Sequence, residues 1–347
     1  MTKRLIYDLD DQALSDWLLG LGQPSFRAQQ ILAGLYSKYY SDFSQFANIP
    51  NSLRDALEAE FIIEPVSVLK LLASTDGLTE KALFQLPDGM AVETVLMRYN
   101  TRDSLCISTQ VGCPMDCVFC ATGQMGFKRN LTSGEILGQI IHYMRKLRAE
   151  EQKLTNIVYM GMGEPFLNYE STMQSIRRLV DPDSINFGAR RITISTVGII
   201  PRISRFADEG LQVNLAVSLH SSDDAQRSEL VPANRLYPLK QLLAACRAYT
   251  DQTHRRVSFE YALIDGVNDS IEAAAHLANA LGGMLCHVNL IALNPSKNYP
   301  LRGSSREHVE AFYEKLVSRG IPTTVRLRRG VEIQAGCGQL ASTQKLQ

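Results

Sequence analysis

The sequence lacks several features that would place it in other classes of protein. No apolar run reaches the roughly 18 residues that a helix needs to span a bilayer. The first residues, MTKRLIYDLDDQ, contain no apolar signal core, so we expect a cytoplasmic protein. Net charge is zero at pH 7, which argues against a bulk polyanion binder. Solenoid repeats and low-complexity segments are absent, and what remains is a globular chain of 347 residues.

The charges that are present are unevenly distributed. Residues 1–60 contain five Lys/Arg against eight Asp/Glu, whereas residues 297–330 contain eight Lys/Arg against three Glu. Any contact with nucleic acid is therefore predicted to fall in the later stretch. Charge alone nevertheless favours an ordinary solvated surface.

Hydrophobic periodicity divides the chain into three regions. Residues 1–62 have the apolar spacing of short helices. Residues 63–98 contain three strand-like runs separated by Asp76-Gly77 and Asp88-Gly89, dipeptides typical of hairpin turns. In residues 99–340, strand-like and helix-like runs alternate as six βα units and a seventh strand. The prediction is an α/β protein with a small N-terminal helical domain, a β-hairpin linker region and a large βα domain.

The alternation implies parallel strands with right-handed crossovers, which fits either an open doubly wound sheet or a full or partial β/α barrel. Polar or unusual residues follow all seven predicted strands, and in a barrel these strand ends form one face. We therefore prefer the barrel. In chain order these features are the cysteine cluster, GMGEP (161–165), Ser195 with Thr196, Ser218 with His220, Asn268, Asn294 and GCGQ (336–339).

The cysteines are clustered in a way that points to a metal centre. Four of the seven lie within the fifteen positions from Cys106 to Cys120. Cys113, Cys117 and Cys120 have the spacing C-x3-C-x2-C, and thiolates are soft ligands for iron–sulfur clusters, zinc or Cu(I). A structural zinc site needs four ligands, and no histidine lies between Cys120 and His142. The spacing favours a 4Fe-4S cluster with one open iron, with zinc and a distant fourth ligand as the alternative.

At this point the motifs resemble a known family, the RlmN/Cfr family of radical S-adenosylmethionine rRNA methyltransferases, and more closely its RlmN branch. The resemblance extends over nearly the whole chain, and its motifs are highly specific in combination. They are CISTQVGCPMDCVFCATGQMGFKRNL, MGMGEPFLN, ITISTVGIIP, VSLHS, FEYALIDGVND, HVNLIALNP and AGCGQL.

The resemblance implies a fold and a reaction. The fold is a partial (βα)6 radical-SAM barrel with an N-terminal helical domain that helps to engage RNA. The reaction is methylation of carbon 2 of adenosine 2503 in 23S rRNA, with carbon 2 of adenosine 37 in tRNAs as a second target. Two S-adenosylmethionine molecules are consumed per turnover, and a low-potential donor such as flavodoxin supplies electrons.

The resemblance also assigns roles to individual residues. Cys113, Cys117 and Cys120 hold the cluster. Cys337 accepts a methyl group and carries it to RNA, and Cys106 resolves the protein–RNA bond by forming a disulfide with Cys337. Glu93 is the general base. The residues matching contacts to S-adenosylmethionine are Gly163, Glu164, Ser195, Ser218, Leu219, His220 and Asn294.

Without the resemblance, several of these residues have plainer interpretations. Cys106 would be a buried strand cysteine, Cys337 a loop thiol, Glu93 a solvent-facing strand residue and His220 a hydrogen-bonded core histidine. Cys246 and Cys286 match no motif and are predicted to pack in the core. Contacts to RNA phosphates are expected from Arg326, Arg328 and Arg329, and from Lys128 and Arg129.

Three other functions stay open from the sequence. The first is Cfr-type methylation of carbon 8, against which Pro165 in GMGEP is a weak discriminator. The second is a non-catalytic, zinc-stabilised RNA-binding module. The third is a radical enzyme acting on a small molecule. The sequence does not predict an oligomeric state.

Overall fold

The computed structural model describes residues 3–294, 300–326 and 328–341. In this part of the chain the α-helices, in order α1 to α11, are Asp11–Gly20, Phe26–Tyr36, Asn51–Glu60, Ala121–Gln124, Ser133–Ala149, Tyr169–Val180, Ile200–Asp208, Asp224–Leu230, Leu239–Thr253, Ile271–Leu281 and Arg306–Ser318. The strands, in order β1 to β14, are Arg4–Leu5, Phe61–Ile62, Ser67–Ala73, Thr79–Gln85, Ala91–Tyr99, Arg102–Cys106, Gln110–Val111, Arg129–Asn130, Asn156–Tyr159, Ile192–Thr196, Asn214–Ser218, Val257–Leu263, Cys286–Ala292 and Thr323–Val325.

The N-terminal region is helical, as predicted. Helices α1 to α3 bury their apolar stripes against one another, and β1 pairs with β2 in parallel to join the two ends of the region. The Asp10 side chain caps α1 by accepting from the Ala13 N–H at 2.7 Å. Asp8 accepts from the Gly134 N–H at 2.7 Å, so this region also contacts the first turn of α5.

A ten-stranded sheet forms the centre of the molecule, in the order β14-β13-β12-β11-β10-β9-β6-β5-β4-β3. Strands β6 and β9 to β14 are mutually parallel, and β3, β4 and β5 extend the same sheet as antiparallel strands. Gly77 at φ 69° and Gly89 at φ 83° form the two predicted hairpin turns. The predicted domain boundaries at residues 62 and 98 stay predictions.

The parallel strands curve into a partial barrel. In a flat sheet β9 and β14 would stand about 24 Å apart, at about 4.8 Å for each of five strand spacings. Instead, Arg326, just after β14, places its Nη1 atom 4.0 Å from the sulfur of Met160, just after β9. The edge strands β14 and β3 do not pair with each other, so the barrel stays open on one side. This confirms the partial barrel over the open doubly wound sheet.

The six long helices that follow the parallel strands cover the outside of the barrel. The three-residue spacing of Thr132 and Glu135 predicts a capping box, and the structure confirms it at the start of α5. Strands such as β11 are buried on both faces, with Leu215, Ala216 and Val217 all inaccessible, as parallel strands between helices and a filled interior should be. Cys246 and Cys286 are buried and pack in this core, as predicted. None of the described helices has the length and hydropathy that a bilayer span requires.

Candidate active site

A cavity opens at the carboxyl ends of the parallel strands. Each of the strands from β9 to β14, or the residue directly after it, contributes to the wall. Ten of the thirteen site residues predicted from the sequence line this cavity. They are Cys113, Cys117, Cys120, Gly163, Glu164, Ser195, Ser218, His220, Asn294 and Cys337.

The three clustered cysteines lie on the loop between β7 and α4. Gly112, at φ 76°, starts the loop, and a Cβ atom there would stand 1.8 Å from the Gly126 carbonyl oxygen, so only glycine fits. The Cys120 N–H donates to the Cys117 carbonyl at 3.0 Å and closes a tight turn. Burial raises the pKa of Cys113 to about 12 and raises that of Cys117 well above its ordinary value, so thiolates here require a cation.

The spacing of these thiols bears on which metal centre they fit. Among the described residues, Asp265, Asp269 and His308 form the one trio whose ligand atoms all lie within 4.8 Å of one another. The three cysteine sulfurs are therefore spread more widely than that. Three sulfurs on a single zinc would be about 4 Å apart, given Zn–S bonds of about 2.3 Å. The three sulfurs are therefore not gathered at the separations that a single zinc ion would impose.

The loop after β9, residues 161–165, packs directly on β7. Gly163 has φ 101°, and a Cβ atom there would lie 2.6 Å from the Cβ of Gln110. The Gln110 side-chain oxygen accepts from the Glu164 N–H at 2.8 Å. The Glu164 carboxylate accepts from the Phe166 N–H at 2.9 Å and the Val197 N–H at 2.8 Å. Burial raises the pKa of Glu164 to about 7.

His220 is a buried, neutral histidine in the cavity wall. Its φ is 61°, and its Nδ1 accepts from the Ala262 N–H at 3.0 Å. Burial lowers the pKa of His220 to about 3. Its ring meets the edge of Phe119, from the cysteine loop, with centroids 4.8 Å apart. His220 is thus both a hydrogen-bonded core histidine and a residue of the cavity wall.

Arg227 is a buried arginine behind the cavity wall that the sequence did not predict. It is fully buried and donates to the carbonyls of Val197, Ser218 and Leu219 at 2.7 to 3.0 Å. Burial lowers the pKa of Arg227 to about 10. Its four hydrogen bonds, including one to Asn234, hold together the carboxyl ends of β10 and β11. An arginine within a short amphipathic helix carries no local signal for such a role.

Cys337 reaches the cavity from a separate part of the chain, which we name the C-terminal segment (residues 328–341). The Asn294 side-chain amide donates to the Cys337 carbonyl at 3.3 Å. The Ala121 N–H, next to the cysteine loop, donates to the Gly338 carbonyl at 2.8 Å. Cys337 is solvent-exposed, so the structure places an accessible thiol at the same cavity as the clustered cysteines.

An ion pair lies in the wall beside Cys337. The Arg326 guanidinium donates to Glu260 Oε1 at 3.1 Å, and the Asn289 amide donates to the same oxygen at 2.8 Å. The cavity wall around the Cys337 sulfur excludes part of its water, and this desolvation raises the pKa of the thiol. The positive charge of Arg326 lowers the same pKa. Glu260, an inward carboxylate in the strand VSFEYAL, was also missed from the sequence.

Comparison with known proteins identifies the family. Residues 5–63 match the ribosomal RNA large subunit methyltransferase N-terminal domain, and residues 107–278 match the radical SAM superfamily. A probable dual-specificity RNA methyltransferase RlmN of Chloroflexus aurantiacus is 48% identical, covering 98% of this chain and 93% of the relative. Dual-specificity RNA methyltransferase RlmN 1 of Myxococcus xanthus is 46% identical, covering 99% and 95%. The chain belongs to the RlmN family.

The fold comparison agrees with this assignment. A crystal structure of a radical SAM methyltransferase from Sphaerobacter thermophilus superposes with a TM-score of 0.95 at 49% identity, covering 97% of this chain and 99% of that one. Membership of the radical SAM superfamily implies a 4Fe-4S cluster and S-adenosylmethionine. The three clustered thiols and the cavity beside them fit these two groups.

Three residues that the RlmN resemblance singles out do not line the cavity. Leu219 is fully buried behind the wall. Glu93 is buried between Lys81 Nζ, at 3.0 Å, and the Ala341 N–H, which donates to it at 2.8 Å. Cys106 is buried on β6, where burial and the nearby Cys337 thiol raise its pKa.

The predicted disulfide is not confirmed, because all seven cysteines are free thiols. Cys106 is fixed on a buried strand, whereas Cys337 is held on the C-terminal segment by Asn294 and Ala121. The two thiols are close enough for the charge of Cys337 to raise the pKa of Cys106, and the Arg326 guanidinium interacts electrostatically with both.

Two of the arginines proposed for phosphate contacts are engaged within the protein. Arg129 bridges Asp88 at 2.6 Å and Glu135 at 2.7 Å, and Arg326 pairs with Glu260. Among the residues that the structure describes, Arg328 and Arg329 form no ion pair. Arg329 is nevertheless engaged within the protein, because it donates to the Arg98 carbonyl at 2.9 Å and its guanidinium lies 4.3 Å from the Tyr99 ring centroid. The exposed Arg328 is therefore the better candidate for binding RNA.

Proposed function

We propose that this protein methylates carbon 2 of adenosine 2503 in 23S rRNA, with carbon 2 of adenosine 37 in tRNAs as a second target. The observation that carries the proposal is the single cavity shared by the three loop thiols and the exposed thiol of Cys337. An adenine carbon offers no lone pair to attack a methyl sulfonium, so a carrier thiol beside a radical cofactor answers the chemical need.

The residues of the cavity divide into those that hold cofactors and those that act on the substrate. Cys113, Cys117 and Cys120 would hold the cluster. Gly163, Glu164, Ser195, Ser218, His220 and Asn294 would contact S-adenosylmethionine, with Leu219 supporting them from behind. When bound, the cluster and S-adenosylmethionine supply a methyl group and a carbon-centred radical.

Cys337 would be the methyl carrier. A thiolate attacks the methyl carbon of a sulfonium, takes the methyl group and releases the thioether. The guanidinium of Arg326 favours the thiolate form of this cysteine. Its exposure on a segment outside the barrel strands lets the methylated side chain reach both the cofactor and an RNA base. The target base must leave its stack to enter the cavity.

Cys106 and Glu93 would complete the reaction. Cys106 would free the RNA by attacking the Cys337 sulfur. An S–S bond would form as the bond from that sulfur to the methylene carbon breaks, and the methylene carbon would keep the electron pair and take a proton to become the methyl group. An external thiol would then reduce the disulfide, so this bond would exist only during turnover. Glu93 would take the proton from the adenine carbon, because burial raises the pKa of this carboxyl and makes it a stronger base than an exposed one. Glu93 reaches the C-terminal segment through Ala341.

The remaining partners follow from the same assignment. Arg328 would bind RNA phosphates near the cavity. A low-potential donor such as flavodoxin would supply electrons in the cytoplasm.

Metal and methyl analysis after anaerobic reconstitution tests this proposal. We expect about four irons per chain and, on adding S-adenosylmethionine, one methyl group on the Cys337 peptide. One zinc per chain and no Cys337 methylation would instead support a zinc-stabilised RNA-binding module. A Cys337→Ala variant that keeps its main reaction would indicate a radical enzyme for small molecules.

A further inference from the structure

Lys81 and Glu93 form a buried ion pair on the inner face of the hairpin. Strands β4 and β5 are antiparallel, with Lys81 opposite Val95 and Leu83 opposite Glu93. The two charged residues are therefore diagonal neighbours on one face, within the reach of a lysine side chain. Lys81 Nζ lies 3.0 Å from Glu93 Oε1, and both residues are only 6% exposed.

The pair is also bonded to the C-terminal segment at two points. Lys81 Nζ donates to the Gln334 carbonyl at 3.1 Å, and the Ala341 N–H donates to Glu93 Oε2 at 2.8 Å. These two points flank Cys337 in the chain, three residues before it and four after it. The carboxylate and the thiol-bearing segment are thus held by a common set of bonds.

Nothing else in the described structure balances the charge of Glu93. Within residues 3–294, 300–326 and 328–341, its one ion pair is with Lys81. Its backbone is fixed by the Ser108 hydroxyl, which donates to the Glu93 carbonyl at 2.6 Å. On the opposite face of β5, the neighbouring Thr94 bonds to Gln139, which is uncharged.

We propose that Lys81 is a positioning residue that holds the Glu93 carboxylate as an anion and fastens it to the segment carrying Cys337. The proposal rests on the proposed function, in which Glu93 receives a proton and Cys337 carries the methyl group. Base and carrier then move as one unit when the C-terminal segment adjusts to RNA.

The physical reason is the cost of a buried charge. Burial raises the pKa of Glu93, and the positive charge of Lys81 opposes that rise. With Lys81 removed, burial is opposed only by the Ala341 N–H bond, and the carboxyl holds its proton to a higher pH. A protonated acid accepts no proton, so the reaction slows on the acidic side of its pH profile.

The test compares Lys81→Met, Lys81→Arg and Lys81→Gln with Glu93→Gln. Lys70→Met, on the exposed strand β3, is the matched control because Lys70 forms no ion pair among the described residues. Hydrogen–deuterium exchange of residues 330–341 in the cofactor-free protein measures docking of the C-terminal segment. Single-turnover RNA methylation at saturating RNA, followed from pH 6 to 9, measures the state of the base.

We expect faster exchange of residues 330–341 in Lys81→Met, and an acidic limb of the rate profile moved upward by about one pH unit. At a given pH on that acidic limb the rate then falls by up to about tenfold, with an unchanged KM for RNA. Lys81→Arg restores both, and Lys70→Met changes neither. If Lys81→Met does not fold, Lys81→Gln provides the test. Glutamine keeps a donor for the Gln334 carbonyl, so this variant should show the shifted acidic limb without faster exchange of residues 330–341.

Exchange and pH profile like those of the wild type in Lys81→Met or Lys81→Gln, together with an inactive Glu93→Gln, would overturn the role of Lys81 and leave the proposed function standing. A fully active Glu93→Gln would overturn the role of Glu93 as base, and that of Lys81 with it. A wild-type protein that methylates Cys337 but never RNA would overturn the proposed function itself.

Discussion

Arg326 and Glu260 form an ion pair of 3.1 Å in the wall of the cavity, and the Arg326 guanidinium is close enough to both Cys337 and Cys106 to interact electrostatically with each thiol. Among the described residues, the Glu260 Oε2 atom is buried and has no hydrogen-bond donor. The pair therefore fixes one cation beside the two thiols that act as nucleophiles in the proposed function.

Replacing Arg326 by Met should make the Cys337 thiol slower to react. The arginine charge lowers the pKa of Cys337, so its loss raises that pKa and reduces the thiolate fraction. We expect alkylation by iodoacetamide near pH 8 to slow about three- to tenfold, measured on the Cys337 peptide by mass spectrometry. Arg326→Lys should lie between the two, and Arg191→Met, remote from the cavity, should match the wild type. Identical pH profiles for Arg326→Met and wild type would show that the guanidinium does not act on this thiol.

Gly163→Ala should destabilise the protein far more than a glycine substitution in open space. Gly163 has φ 101°, and the new Cβ would stand 2.6 Å from Gln110. Gly320, at φ 76° with no atom within 4 Å of its Cβ position, is the matched control. Strain costs about 1 kcal/mol at Gly320, and strain with overpacking about 2–5 kcal/mol at Gly163. Equal shifts of the thermal midpoint in the two variants would contradict the close contact of this loop with β7.

Glu164 should make the cofactor-free protein less stable as pH rises from about 5 to 8. Its folded pKa, about 7, lies above its ordinary value of 4.5, so the folded state binds a proton that the unfolded state releases. This stabilisation is complete below pH 4.5 and disappears as pH rises through about 7. Across that window wild type should lose up to about 3 kcal/mol more unfolding free energy than Glu164→Gln. Parallel pH curves in urea unfolding would show that Glu164 is ionised in the folded protein throughout.

Loss of Arg328 should weaken RNA binding, whereas loss of Arg129 should lower the stability of the fold. Arg328 has no ion pair among the described residues, so Arg328→Ala should weaken RNA binding and reduce the salt slope of affinity by about one. Arg129 is held by Asp88 and Glu135, so Arg129→Ala should lower stability and leave the salt slope unchanged. Titrating RNA binding against salt concentration separates the two. Equal slopes for all three proteins would remove Arg328 from the RNA surface.

Much of the architecture follows from local sequence patterns. The alternation of strands and helices, the Asp-Gly turns and the capping box at Thr132 depend on residues close together in the chain, and all are confirmed. Placing polar residues at strand ends was enough to predict one shared cavity, because parallel strands in a barrel end on the same face.

What the sequence could not predict depends on distant pairing. The Lys81–Glu93 pair follows from the register of β4 on β5 and from the return of residues 334 to 341. Arg227 joins the end of β11, the strand before its own helix, to the Val197 carbonyl thirty residues earlier, after β10. Cys106 and Cys337 were predicted to bond, but a buried strand and a docked segment hold them apart as free thiols.

The most direct test of the central claim is the position and origin of the methyl group on RNA. The reconstituted protein is first given S-adenosylmethionine with a deuterated methyl group, then unlabelled cofactor and RNA containing the target adenosine. We expect 2-methyladenosine that carries deuterium from the Cys337 methyl group, and no product from Cys337→Ala. Methylation at carbon 8, or methylation at carbon 2 without deuterium or without Cys337, would contradict the account.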